Sequence, residues 1–159
     1  LLLHVVDMAP YDGSDPQQVV GAIAAELEKF SPTLAGRERW LVLNKLDLLP
    51  EDQQKEVCDK LVSDLKWSGP VYNISAIKSK GLKPLCHDIM TWIDERAEAE
   101  AADDSLAAEE VDLKERMHKE ARENLEAYKI ARKEQRLSSQ EDDFDEEDDD
   151  DDVEVVYAE

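Results

Sequence analysis

Cysteine is nearly absent: Cys58 and Cys86 are the only two in 159 residues. Two thiols make no disulfide framework. Both fall in amphipathic stretches where a buried thiol packs as a small apolar group, which suits a reducing compartment. No uncharged apolar run approaches the roughly 18 residues a membrane span requires, so none is expected. The opening Leu1-Leu2-Leu3-His4-Val5-Val6-Asp7 lacks the basic start and cleavage region of a signal peptide. With no initiator Met and a start inside a strand-like run, the chain reads as a piece of a longer protein, cut from its N-terminal side. Glycine is also sparse, at positions 13, 21, 36, 69 and 81. No two are five apart and none has Asp three before it, which excludes G-x-x-x-x-G-K-[ST] and D-x-x-G. His4, His87 and His118 have no ligand spacing with the cysteines, so no zinc site is expected.

Positive charge is the other shortage. Lys+Arg number 19 against 40 Asp+Glu, a net charge of −21. The imbalance is local: residues 140–159 hold 13 acids and no base, residues 97–139 hold 12 acids and 8 bases, and residues 1–96 hold 15 acids and 11 bases. Docking on a phosphate backbone rests on Lys/Arg neutralisation, so direct nucleic-acid binding by the acidic tail is not expected. The Asp148–Asp152 run lacks the glycine turn and spaced ligands of a calcium loop.

What is present over residues 1–96 is alternation. The run 1–7 is apolar and ends at an acid, the pattern of a parallel strand covered on both faces. Asp15-Pro16 reads as an N-cap and first helical residue, followed by Val19, Val20, Ile23, Ala24, Leu27 and Phe30 at helical spacing until Ser31-Pro32 stops them. Trp40–Leu43 is a second strand ending at Asn44. Pro50-Glu51-Asp52 opens a helix with the stripe Val57, Leu61, Val62 and Leu65. Val71–Ile74 is a third strand, and Leu82, Leu85, Cys86, Ile89, Trp92 and Ile93 mark a last helix. Strand and helix alternating three times predict an α/β unit with a parallel sheet and flanking helices. Trp40, Trp67 and Trp92 read as packing residues. Residues 97–139 form a helix-prone charged extension. Residues 140–159 form an acidic tail, expected to be disordered across 140–152, with Val153–Tyr157 as a short apolar docking patch.

The chemistry concentrates after two strand ends, where open α/β sheets bind ligands. Asn44-Lys45-Leu46-Asp47 follows the second strand and Ser75-Ala76-Ile77 the third. One carboxylate, Asp47, can accept two parallel N–H bonds, and guanine offers such a pair at N1–H and N2–H₂ where adenine does not. A site built on such bonds rejects an analogue lacking them by roughly 10⁴–10⁵-fold. The Lys45 stem can lie along a base face. Asn44 can fasten its loop to a neighbour and reach the base edge. A small residue at Ala76 lets backbone N–H approach the guanine O6, and Ser75 can brace the Asp47 loop. No residue is assigned a catalytic or metal-binding role.

These two stretches resemble the fourth and fifth guanine-nucleotide motifs of translation-factor class GTPases. The chain is further similar to the C-terminal part of Obg (CgtA) family GTPases. That resemblance is carried by Leu2–Asp7 with Asp12-Gly13-Ser14-Asp15-Pro16, Glu26–Ser31, Arg39–Leu49, Ile74-Ser75-Ala76 and Gly81–Met90. It implies the C-terminal half of a P-loop GTPase domain over residues 1–96, with the P-loop, switch I and D-x-x-G elsewhere. It also implies GTP/GDP and Mg²⁺ as ligands of the intact protein, the Mg²⁺ ligands lying outside this chain. The implied activity is slow GTP hydrolysis, as a cytoplasmic switch in large ribosomal subunit assembly and stress response. The rival expectation is a non-catalytic acidic module that binds basic ribosomal proteins.

Overall fold

The computed structural model describes residues 1–139. The expected disordered tail and docking patch at 140–159 lie outside the described residues. By contact density the chain divides into two units, Leu1–Asn124 and Leu125 onward. The first is a mixed α/β body with a small parallel sheet. Its elements are β1 (Leu2–Asp7), α1 (Pro16–Phe30), α2 (Pro32–Ala35), β2 (Arg39–Asn44), α3 (Glu51–Asp64), β3 (Val71–Asn73), α4 (Leu82–Ala102) and the start of α5 (Asp104–Ser139). In the second unit, residues 125–139 are the end of α5, with Leu125, Tyr128 and Ile130 exposed.

The sheet order is β1-β2-β3, all parallel. β2 is central, and its run Trp40-Leu41-Val42-Leu43 is buried throughout, as a strand covered on both faces should be. Leu41 and Leu43 face one layer with Val6, Val20 of α1, and Cys58 and Leu61 of α3. Trp40 and Val42 face the other, with Ile74 and Leu85 of α4. Burying each large side chain is worth about 1.5–3 kcal/mol, so β2 anchors both layers.

β1 departs from expectation. His4 and Val6 are buried, but Leu3 and Val5 on the opposite face are 42% and 53% exposed. An apolar run cannot tell which of its faces has a partner, and here one face has none among the described residues. Cys86 is likewise exposed, unlike Cys58. On the helices Ile23, Phe30, Val57 and Ile93 are exposed while Val20, Leu61 and Leu85 carry the contacts. The third strand stops at Asn73, one residue earlier than the apolar run, and α4 continues past residue 96 to Ala102.

Several ends form as their residues dictate. Asp15 accepts the Gln17 N–H at 3.1 Å to cap α1, with Pro16 in the first turn. Ser31 closes α1 through its N–H to Leu27 O and opens α2 through its Oγ, which accepts the Leu34 N–H. Gly81 precedes α4 at φ +75°, and a Cβ there would sit 2.3 Å from Asn73 O, so no other residue fits. α5 adds almost no residue to the two apolar clusters. It docks by polar contacts instead: Glu110 pairs with Arg37 and Arg96, Glu120 accepts from Ser31, Thr33 Oγ1 and Thr33 N–H, and Asn124 donates to Lys29 O and Phe30 O.

Candidate functional site

The sheet register sets the site. Asp7 lies opposite Asn44, and Leu43 opposite Asn73, so the carboxyl ends of the three strands finish nearly level. The loops that leave them meet at one edge.

After β2, Lys45 takes the left-handed conformation at φ 66°, which is uncommon without glycine. Two features hold it. Asn44 Oδ1 accepts the Lys45 N–H at 2.8 Å, and Lys45 Nζ donates to Asp7 Oδ2 at 2.6 Å. Leu46, Asp47 and Leu48 then form one 3-10 turn. Leu46 points into the core at 7% exposure, so it anchors the turn rather than facing a ligand. Gln54 of α3 fastens the turn from outside, its Nε2 donating to Leu46 O and Leu49 O at 2.8 and 3.0 Å.

After β3, Ser75 and Lys80 bond to each other in both directions, each N–H donating to the other's carbonyl at 3.0 Å. Ser75 is 1% exposed. Its Oγ donates to Asp47 Oδ1 at 2.5 Å and accepts the Lys78 N–H at 3.2 Å. The Ala76 N–H donates to Asn44 Oδ1 at 3.1 Å. The six polar or exposed residues singled out from sequence (Asn44, Lys45, Asp47, Ser75, Ala76 and Ile77) therefore lie in two loops cross-linked by side-chain bonds.

What remains unbonded defines the chemistry on offer. Asn44 Oδ1 is occupied by two backbone donors, so the side chain presents its Nδ2, a donor. Asp47 keeps Oδ2 and one lone pair of Oδ1, both acceptors. Ala76 N–H is engaged with Asn44, not open to an incoming oxygen as the small side chain alone would suggest. Between residues 75 and 80 the N–H without an acceptor is that of Ile77, whose side chain is 85% exposed. The edge thus presents donor, acceptor pair and donor.

Asp7 and Gln54 escape sequence reading. Asp7 ends a strand adjacent in space to the one ending at Asn44, a signal visible only once the strands are paired. Burial, the largest influence on the Asp7 carboxyl, pushes it up, but the Lys45 ammonium and the Ala9 N–H outweigh it and hold it below its ordinary range. A cleft of about 390 Å³ opens on the α3 side of Asp47, lined by Gln54, Lys55, Asn73, Lys78 and Lys80 among others. Asp47 lines it too, whereas Asn44, Lys45 and Ala76 do not, so the cleft and the convergent polar face meet at Asp47. Among the described residues no group of three or more His, Cys, Asp or Glu side chains could hold a metal ion. No helix among them is long and apolar enough to cross a membrane. No family model matches the chain.

Proposed function

We propose that this chain reads the guanine base of GTP or GDP, as the C-terminal half of a P-loop GTPase domain of the Obg type. In this reading a protein that supplies G-x-x-x-x-G-K-[ST] in the same polypeptide hydrolyses GTP slowly, and serves as a switch in large ribosomal subunit assembly. The observation that carries the reading is the cross-linking of Asn44 and Asp47 to the Ser75–Ile77 loop. It leaves a carboxylate acceptor pair flanked by two donors at the carboxyl edge of the sheet. Asp47 accepts guanine N1–H and N2–H, the Ile77 N–H donates to O6, Asn44 Nδ2 donates to the ring nitrogen beyond, and the Lys45 stem covers one base face. Adenine would set its own ring acceptor against Asp47 and leave that carboxylate unpaired.

Phosphate contacts in nucleotide sites are numerous and charge-assisted, and this chain lacks the loop that makes them. Its affinity for GDP should therefore be about millimolar, near 4 kcal/mol. Titrating isotope-labelled chain with GDP and ADP, followed by amide shifts, tests this. The expected result is a GDP response confined to residues 44–47 and 75–77, with ADP at least tenfold weaker. Equal response to both nucleotides, or a response spread elsewhere, overturns it.

A further inference from the structure

We propose that Asp7, which lies outside both base-reading stretches, is a positioning residue that fixes Lys45 as an apolar wall for the base and so sets the preference for guanine. The proposal rests on the base-reading function proposed above. Asp7 ends β1, and the register places it opposite Asn44. Its two oxygens are divided: Oδ1 accepts the Ala9 N–H at 3.0 Å, and Oδ2 accepts Lys45 Nζ at 2.6 Å. Lys45 is thereby tethered at both ends, its backbone N–H by Asn44 and its ammonium by Asp7. A lysine stem is ordinarily flexible, and fixing it before a ligand arrives removes an entropic cost from binding.

The second consequence is electrostatic. The Lys45 and Asp7 side chains are 47% and 35% exposed, so their pair contributes little to folding stability. Its effect is on what Lys45 presents. An ammonium already paired with a carboxylate attracts the phosphates of an arriving nucleotide weakly, and phosphates are common to every nucleotide. Paired with Asp7, Lys45 offers its carbon stem, and discrimination is left to the groups that meet the base edge. Released from Asp7, the stem no longer walls the base, and what little attraction its exposed charge adds is shared by every nucleoside diphosphate alike.

The test uses the full chain with GDP and ADP as probes, read by amide shifts, in four forms: wild type, Asp7→Asn, Lys45→Met and the double variant. Asp7→Asn keeps an oxygen for the Ala9 N–H and removes the charge. It should raise the GDP dissociation constant about three- to tenfold and narrow the GDP-to-ADP ratio. In the Lys45→Met background the same change should have no further effect. An unchanged GDP-to-ADP ratio in Asp7→Asn overturns the role of Asp7 alone. So does an equal loss in the Lys45→Met background, which would place its effect in the Ala9 turn. A wild type that does not distinguish GDP from ADP overturns the base-reading function, and this proposal with it.

Discussion

Asn44 and Asp47 differ in what the fold leaves of them. Asn44 gives its oxygen to two backbone N–H groups, while Asp47 gives one oxygen to Ser75. That difference makes Asp47→Asn an informative change. The amide keeps an acceptor for the Ser75 hydroxyl, so the loops stay joined, but its NH₂ replaces the acceptor that faces guanine's N–H pair. Donor against donor cannot bond, and the loss costs about 1–3 kcal/mol. Xanthine carries an oxygen where guanine has its amino group, which restores a match. The expected outcome is GDP binding weakened at least about fivefold and xanthosine diphosphate binding strengthened, measured on one preparation. If Asp47 only shapes the turn, the ratio of the two affinities will not move. That Asn44, Lys45, Asp47 and Ser75 meet at the strand ends was legible from sequence, because residue type and position after a strand are local. Asp7 was not, since a lone acid at a strand end gains meaning only from the neighbour that the register supplies. Leu46 fell inside the motif by spacing, yet its side chain belongs to the core.

At the scale of elements, the strand–helix alternation was readable because each apolar stretch has the period of its own element. The bare face of β1 and the docking of α5 were not. Both depend on partners, and α5 is docked largely by ions and caps, with only a sparse apolar line at Leu106, Leu113 and Met117 to count. Glu110 is its main anchor, meeting Arg37 through both guanidinium nitrogens and Arg96 at 3.1 Å. The Arg37 contact, then the nearby cations, hold the Glu110 carboxyl down at about 2. Glu110→Gln would leave the Arg37 guanidinium without its ion-pair partner, while Arg96 keeps Glu100 at 2.7 Å. Loss of a hydrogen bond to a charged group costs roughly 1.5–3 kcal/mol, so amides of residues 106–121 should exchange about ten- to a hundredfold faster. The sheet amides of Leu41–Leu43 should keep their protection. If α5 exchange does not change, the half-buried Leu106, Leu113 and Met117 hold the helix and the ion pairs are incidental.

Across the whole molecule, a net charge of −21 suggests that mild acid should stabilise the chain by relieving repulsion. One buried group argues the opposite between about pH 7.5 and 5.5, where most carboxylates are still ionised. His4 is 6% exposed, its Nε2 has no hydrogen-bond partner, and its ring meets Trp67 edge-on at 6.4 Å between centroids. Burial first, and the Arg39 cation second, lower its pKa from the ordinary 6.5. Arg39 itself lies 5.9 Å from the Trp67 ring and has its buried Nη1 unpaired, so no acceptor waits to receive a protonated His4. As pH falls through 6.5 the unfolded chain binds a proton at this residue and the folded chain does not. Stability is therefore present in full above that value and declines below it, at a slope of at most about 1.4 kcal/mol per pH unit. His4→Phe keeps a ring against Trp67 and removes the titration. Urea midpoints measured at pH 7.5, 6.5 and 5.5 should fall in the wild type and stay nearly level in His4→Phe. Parallel slopes in the two proteins would assign the acid sensitivity to groups other than His4, and the paired carboxylates of Asp7, Glu38 and Glu110 are not among them, since their lowered pKa values withdraw stability only as pH drops below about 4.5.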